Sequence, residues 1–304
     1  MQPQLAVFYP NALITPSFVL TQLEQDVSPE YNFEEASYIA PGATFPGFTG
    51  LESKDPKVDS STTQIRTVLD NMAFEGVSVG FTAASSMEFQ QGKNLEGREP
   101  AADLVHTRVT ASNSLFYWKS IKAGEKGFAK IDFSWNAVID ANGNPPLVTN
   151  NNVALTELPV VGELYRTGPV NLVIQLPDGA GGFTTETFNL CNDGWTWDNN
   201  IKIKQKKCGG LTAYSYAAVE MAEPKISIPT DNISQVLSLF EGGAIVSLDC
   251  YLRRALQGGE NVDPGTAQHI KLSTIVGTAY PTNARTIMAM PHSFTVDTAS
   301  IIPT

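Results

Sequence analysis

The sequence contains little charge, little cysteine and no long apolar run. Charged residues make up 17% of its 304 residues, where soluble domains average about 25%. Three cysteines cannot all pair, which argues against a disulfide scaffold. No apolar segment approaches the roughly 20 residues of a membrane helix, and the first residues show no signal-peptide pattern. We therefore expect neither a transmembrane segment nor a secretory signal.

What the sequence does contain is typical of a folded protein. Hydrophobic residues make up 42% of the chain, whereas disordered proteins combine low hydrophobicity with high charge density. A chain of this length buries enough surface to fold without disulfides or metals. Because 20 Lys and Arg stand against 31 Asp and Glu, the net charge of −11 argues against nucleic acid as the main partner.

Apolar and polar residues alternate along much of the chain, which is typical of strands with one solvated face. The clearest hairpin joins residues 170–176 to residues 183–190 through a Gly-rich turn. Residues 128–139 predict a solvated face made of Phe128, Lys130, Asp132, Ser134 and Asn136. Further strands are predicted at residues 76–82, 103–110, 195–204, 211–221, 244–252, 268–280 and 285–297.

Helix signals are few. Asp231 is a good N-cap for a helix that runs through Phe240 and ends at Gly242. Two further helices are predicted over residues 63–74 and, from a weaker pattern, over residues 30–39.

Many short strands with two or three short helices predict an all-β protein built from β-sandwich or jelly-roll domains. Since one domain commonly takes roughly 100–200 residues, the length favours two of them. Composition changes over residues 140–159, where three Asn follow a Pro-Pro pair. We predict a first jelly-roll-like domain over residues 1–150 and a second over residues 151–304.

One short motif resembles that of a serine hydrolase. Residues 76–80 read Gly-Val-Ser-Val-Gly, the pattern of a nucleophile elbow around Ser78. Asp249 or Asp263 with His269 or His292 would supply the partners in the required order. The motif lies in a strand-like stretch without the strand–turn–helix context that the elbow needs, so we predict no catalytic residues and no enzyme. A serine esterase using Ser78 is the least favoured alternative.

The sequence predicts neither a metal site nor a cofactor. His106, His269 and His292 lack the paired spacing of zinc ligands. A disulfide between Cys191 and Cys208 stays open at this point, and Cys250 lies in an apolar strand, where cysteine packs as a small hydrophobe.

A basic run is the most uneven feature of this acidic chain. In a strand, Lys202, Lys204 and Lys206 share one face, and Lys207 follows them. One hypothesis is contact with an anionic surface such as a genome, lipid headgroups or an acidic neighbour. The favoured interpretation is that these lysines protect an exposed strand edge against pairing with other chains.

Trp195 and Trp197 share a predicted strand face. Such a pair of rings is a candidate sugar-stacking surface, which would make the chain a carbohydrate-binding adhesin or a lectin-like module. Aromatic residues at this spacing more often pack within a sheet, and we favour that interpretation.

In length and in its series of strands the chain resembles the double jelly-roll major capsid proteins of tailless icosahedral bacteriophages. The resemblance rests on the strands predicted at 76–82, 103–110 and 128–139 in one half and at 170–176, 183–190, 244–252 and 268–280 in the other.

The resemblance implies a structural protein that forms homotrimeric capsomers of an icosahedral shell. It also implies assembly in the host cytoplasm, residence in the virion, and contacts with other virion proteins, an internal membrane or the genome, but no small-molecule substrate. The stripe Lys202–Lys207 is then a candidate for the inner side of the shell. A phage tail-tube or baseplate subunit is the main alternative, because such subunits are also β-rich and self-assembling.

Overall fold

The structure is a computed structural model. It describes residues 7–23, 30–38, 48–71, 80–92, 106–139, 146–157, 163–190, 194–209, 211, 213–240, 242–256 and 260–303.

Strands dominate the described residues, and the prediction of an all-β protein is confirmed. The helices are short: α1 (Ile65–Asn71) and α2 (Ile233–Ser238). The first strands are β1 (Val7–Ile14), β2 (Val19–Leu20), β3 (Glu30–Tyr38), β4 (Phe48–Thr62), β5 (Gly80–Gly92), β6 (Thr107–Gly124), β7 (Lys130–Val138) and β8 (Val148–Asn151). They are followed by β9 (Leu164–Pro177), β10 (Phe183–Leu190), β11 (Gly194–Asp198), β12 (Lys202–Lys206), β13 (Tyr216–Met221), β14 (Lys225–Pro229), β15 (Gly243–Ala255), β16 (His269–Thr274), β17 (Gly277–Asn283), β18 (Thr286–Pro291) and β19 (Thr295–Ser300).

Antiparallel pairing connects most strands into one hydrogen-bonded network. In the first half the neighbours run β2, β1, β5, β6, β7, β4 and β3. In the second half they run β11, β14, β18, β17, β15, β9 and β10, with β16 and β19 branching from β15. Pairing of β6 with β11 links the two series. The division into domains at residue 150 stays a prediction, and β8 spans that position.

The predicted hairpin of β9 and β10 is confirmed, with eight opposed residue pairs and no shift in register. Its turn is held by Asp178, whose Oδ1 accepts hydrogen bonds from the backbone N–H groups of Ala180 and Gly182, each at 2.8 Å. Gly179 and Gly181 adopt φ values of 71° and 88°, a region that glycine enters without the steric cost of a side chain. The residues of the turn therefore explain why this hairpin could be predicted from the sequence.

Two of the three predicted helices are present, with shorter bounds. The predicted helix over residues 30–39 is wrong, because its described residues form β3, which pairs with β4. Through that ladder a nine-residue strand pairs alternate backbone N–H and C=O groups with β4, whereas a short helix in isolation is marginal. Of the strand predicted at 76–82, residues 80–82 belong to β5, and Ser78 lies outside the described residues.

The buried core contains aromatic residues from both halves of the chain. The ring of Phe294 packs edge-on against Trp118 and Trp197, with centroid distances of 5.8 and 4.9 Å. Trp118 lies on β6 and Trp197 on β11, which are neighbouring strands. These contacts bury large apolar surfaces beside the strand pair that links the two halves of the network.

The predicted solvated face of residues 128–139 is only partly present. Phe128, Lys130 and Asp132 are exposed or half-buried, but Ser134 and Asn136 are buried. Their cross-strand partners Tyr117 and Leu115 belong to a small apolar cluster with Val138 and Ala217. Since Ala217 lies on β13, the two-stranded sheet of β12 and β13 packs over this part of the larger sheet and removes it from water.

Candidate interaction surface

The strand register places a row of uncharged side chains across five adjacent strands. Thr185 of β10 lies opposite Gln175 of β9, and Gln175 lies opposite Ala244 of β15. Ala244 in turn lies opposite Thr278 of β17, which lies opposite Met290 of β18. Opposed residues of antiparallel strands point to the same side of the sheet. Four of the five are exposed and Met290 is half-buried, so the row lies on the outside.

Two shorter rows extend this surface. One contains Thr187, Val173 and Ser247, and the other contains Tyr280, Met288 and Ser227. All six side chains are exposed or half-buried. Together the three rows contain eleven residues, and we call this surface the uncharged face. It crosses six strands, and strands lie about 4.8 Å apart, so it is roughly 24 Å wide.

Buried aliphatic residues alternate with the rows of the uncharged face. Ile174 lies opposite Ile245, and Leu172 lies opposite Leu248. The alternation of strand residues thus sends large aliphatic groups to the core and neutral polar groups, Met and Tyr outward. Interface cores are depleted in charged residues, and none of the eleven side chains is charged. The composition of the uncharged face therefore fits protein–protein contact.

Helix α2 and the turn that follows it, residues 239–240, add an exposed apolar stripe in the same half of the chain. Val236 and Leu239 are fully buried, whereas Ile233, Leu237 and Phe240 are exposed, the last with 81% of its surface accessible. Ile233 and Leu237 are four residues apart and lie on one side of the helix, and Phe240 follows in the turn, where its N–H donates to the carbonyl oxygen of Leu237. The segment is therefore apolar on two sides, one of which is covered by the protein and the other of which faces solvent.

The basic run occupies β12, and its predicted alternation is present. Lys202, Lys204 and Lys206 are exposed, while Ile203 is half-buried beside the apolar cluster around Leu115. Within the described residues β12 pairs with β13 and with no other strand. This edge position is the one in which lysines hinder pairing with other chains.

Acidic neighbours reduce the positive charge of this run. Lys202 lies 3.7 Å from Glu223 and Lys204 lies 3.8 Å from Glu220. The Nζ of Lys207 lies 5.0 Å from the centre of the Tyr214 ring. Contact of the run with a genome, a lipid surface or an acidic neighbour stays a prediction.

The two tryptophans proposed as an aromatic binding face are buried. Trp195 is 2% exposed and its Nε1 donates to the carbonyl oxygen of Tyr251 at 3.3 Å. Trp197 is 0% exposed and donates to Oδ1 of Asn199 at 3.0 Å. The face of β11 that carries both tryptophans is covered, so neither ring presents a stacking surface to solvent. The prediction that these two residues form an aromatic binding face is therefore wrong.

Of the residues considered for catalysis, Ser78 lies outside the described residues, whereas His269 and Asp249 form hydrogen bonds within the fold. His269 is buried, where its Nδ1 accepts from the backbone N–H of Arg254 at 3.0 Å and its Nε2 lies 3.2 Å from the carbonyl oxygen of Asp263. Asp249 accepts from Ser273 at 2.6 Å and lies 3.5 Å from Lys271. The hydrogen bonds of His269 and Asp249 therefore hold neighbouring parts of the fold together. Among the described residues no group of three or more His, Cys, Asp or Glu is arranged to hold a metal ion.

The thiols of Cys208 and Cys250 are free. Cys208 is exposed, and its Sγ accepts a hydrogen bond from Ser215 Oγ at 3.0 Å. Cys191 itself lies outside the described residues. Complete burial and the nearby charge of Asp249 raise the pKa of the Cys250 thiol, which makes it unreactive at neutral pH.

A fully buried carboxylate joins β1, β5, β6 and the segment after β8. Glu88 accepts from the Thr156 backbone N–H at 2.8 Å, from Asn11 Nδ2 at 3.1 Å and from the Arg108 guanidinium. Burial alone raises the pKa of this carboxyl group, but the hydrogen bonds from Thr156, Arg108 and Asn11 outweigh burial and hold the pKa below its usual range. Glu88 is therefore an ionised residue that links these segments through hydrogen bonds.

A second ionic joint links α1 to β9 and β15. Glu163 lies 3.1 Å from Arg66 and 3.4 Å from Arg254, and it accepts from the Tyr165 hydroxyl at 2.6 Å. Burial opposes ionisation of Glu163, yet the Tyr165 hydrogen bond and the two guanidinium groups lower the pKa of its carboxyl group. The open depression of about 350 Å³ beside this joint is lined by Gln64, Arg66, Thr67, Asp70, Asn71 and Glu163.

Comparisons with protein-family models and with curated proteins find no match for this chain. Over the described part of the chain, neither helix combines the length and the apolar character needed to cross a membrane.

The sequence did not reveal where the uncharged face lies, although most of the strands that form this face were predicted. The low charge of the chain was visible, but the order of neighbouring strands decides which neutral residues lie side by side. It also missed the exposed stripe of α2, for which the signal was present: Ile233, Val236, Leu237, Leu239 and Phe240 are too many apolar residues for one buried side of a short helix.

Proposed function

We propose that this chain is a structural protein that assembles with copies of itself. The uncharged face carries the proposal, because it offers a wide outer surface that buries no unpaired charge when it is covered. The exposed apolar stripe of α2 supports it, since clustered exposed apolar groups mark protein–protein contact sites.

In its finer form, the proposal is a viral major capsid protein with two jelly-roll domains that forms trimeric capsomers of an icosahedral bacteriophage shell. The all-β architecture and the resemblance of the strand series support this form. On this proposal the chain resides in the virion and needs no catalytic site.

The test compares assembly of the wild type with that of a variant in the middle of the uncharged face. Thr278→Lys places a charge between Ala244 and Met290, and we expect it to raise the protein concentration needed for assembly by about tenfold or more, because a buried unpaired charge is costly. Light scattering gives the mass and negative-stain microscopy gives the shape of the particles. Trimers that close into shells are the expected wild-type result.

Thr266→Lys is the matched control, since Thr266 is also exposed but lies in a turn after Asp263. This variant should assemble like the wild type, and both variants should unfold within about 0.5 kcal/mol of it. A wild type that stays monomeric at every concentration contradicts self-assembly. Open rings or tubes contradict the capsid form and favour a tail-tube subunit.

A further inference from the structure

Two arginines lie directly opposite each other near the ends of β9 and β15, where Arg166 pairs with Arg253 in the strand register. Such opposed residues have Cβ atoms about 5 Å apart, and like charges in this position destabilise the strand pair. The preceding pair, Thr167 with Leu252, is buried. Since strand residues alternate between faces, the two arginines lie on the side away from the core.

Neither arginine forms an ion pair with any residue that the structure describes. The comparable half-buried arginines each have a carboxylate: Arg108 has Glu88, and both Arg66 and Arg254 have Glu163. By contrast, the Nε atoms of Arg166 and Arg253 are buried and find no hydrogen-bond partner in the described part of the chain. Buried donors without partners cost free energy, so the described residues leave this pair of charges without a counter-charge.

The position of Arg166 is held by an aromatic ring. Its guanidinium carbon lies 5.3 Å from the centre of the Phe128 ring. A guanidinium group that stacks on an aromatic face keeps its in-plane N–H groups available for a carboxylate. Arg166 is thus oriented before any anion arrives.

We propose that Arg166 and Arg253 form a binding site for a carboxylate supplied by a second copy of this chain, an inference that rests on the proposed self-assembly. The charge balance favours this source, because 31 acidic residues stand against 20 basic ones. The two oxygens of one carboxylate can accept from both guanidinium groups, whereas nucleic acids are bound through many phosphate contacts. The same two strands also carry the middle of the uncharged face, so one contact between copies can use both.

The experiment uses the full chain with the double variant Arg166→Gln/Arg253→Gln. Below the assembly concentration the variant subunit should unfold at the same urea concentration as the wild type or at a higher one, since the repulsion between the guanidinium groups is gone. Its assembly concentration should rise about tenfold or more, as expected when a charge-assisted contact is truncated. Arg285→Gln is the control, because Arg285 is exposed and its ion pair with Asp231, at 3.8 Å, is also exposed. This variant should behave like the wild type.

Three outcomes overturn the proposal. If the wild type assembles and the double variant assembles at the same concentration, the site fails while the proposed function stands. If the free double-variant subunit is less stable than the wild type, the arginines have a structural role. If a single-stranded oligonucleotide binds the wild type but does not bind the double variant, the ligand is a nucleic-acid phosphate.

If the wild type never assembles, the proposed function is wrong, and measurements on the wild type alone show this. In that case inorganic phosphate serves as the probe. Stabilisation by phosphate that requires both arginines would show a site for a free anion, which overturns the second copy as the source.

Discussion

At the scale of single residues, the polar joints decide how the strands are held. Glu88 is completely buried, yet it receives hydrogen bonds from three other parts of the chain. A buried carboxylate costs free energy unless it is paired and hydrogen-bonded, and here all the partners are present. Removing the charge leaves Arg108, Asn11 and the Thr156 backbone N–H with a weaker acceptor.

We predict that Glu88→Gln lowers the free energy of unfolding by about 2–3 kcal/mol, because hydrogen bonds to a charged group are lost and partly buried donors remain. Urea unfolding followed by tryptophan fluorescence measures the change. Arg285→Gln serves as the control, since exposed ion pairs contribute less than about 1 kcal/mol. A Glu88→Gln protein as stable as that control would contradict the role of the carboxylate.

At the scale of elements, α2 shows how one short helix supports two surfaces. It begins after Asp231 and is followed by Gly242, which has a φ of 74° and whose N–H donates to the carbonyl oxygen of Leu239. These end signals are local, which is why the helix could be predicted. The burial of Leu239 and the 58% exposure of Leu237 depend instead on the strands beneath.

This difference yields a matched pair of substitutions. Leu239→Ala should lower the free energy of unfolding by about 2–4 kcal/mol, because it leaves a cavity in the core. Leu237→Ala removes the same atoms from a mostly solvated position and should cost less than about 1 kcal/mol. Thermal or urea unfolding of the two variants measures both values, and equal losses would show that α2 packs differently from this structure.

At the scale of the whole molecule, carboxylates that contact cations link stability to pH. The pKa values of Asp59, Glu88 and Glu163 are all lowered: burial opposes ionisation of each, and hydrogen bonds and nearby cations outweigh it. Above the ordinary carboxyl pKa of about 4 both the folded and the unfolded states are ionised, and the full stabilisation is present. Below it the unfolded chain binds protons first, so stability falls as the pH falls through the lower folded-state pKa values.

We therefore predict that the free energy of unfolding declines between about pH 5 and about pH 2. Urea unfolding of the unassembled subunit at a series of pH values measures the decline. A Glu88→Gln/Glu163→Gln variant should start less stable at neutral pH and show a flatter dependence. Stability that is constant or rises over this acidic range would contradict the lowered pKa values.

The sequence by itself determined the features that depend on near neighbours in the chain. Alternation predicted the strands, the Asp178 turn predicted the hairpin, and Asp231 with Gly242 predicted α2. It also predicted that lysines line one face of β12. In each case the physical cause is a turn, a cap or a two-residue period, and all of these act within about ten residues.

Only the tertiary structure decided what lies side by side. The β12–β13 sheet buries Ser134 and Asn136 although their own strand pattern indicated solvent, and pairing with β4 made residues 30–38 a strand. The burial of Trp195 and Trp197, the uncharged face and the opposed Arg166 and Arg253 all depend on which distant strands are neighbours. Strand order and register are set by the packing of the whole core, which no local pattern of residues contains.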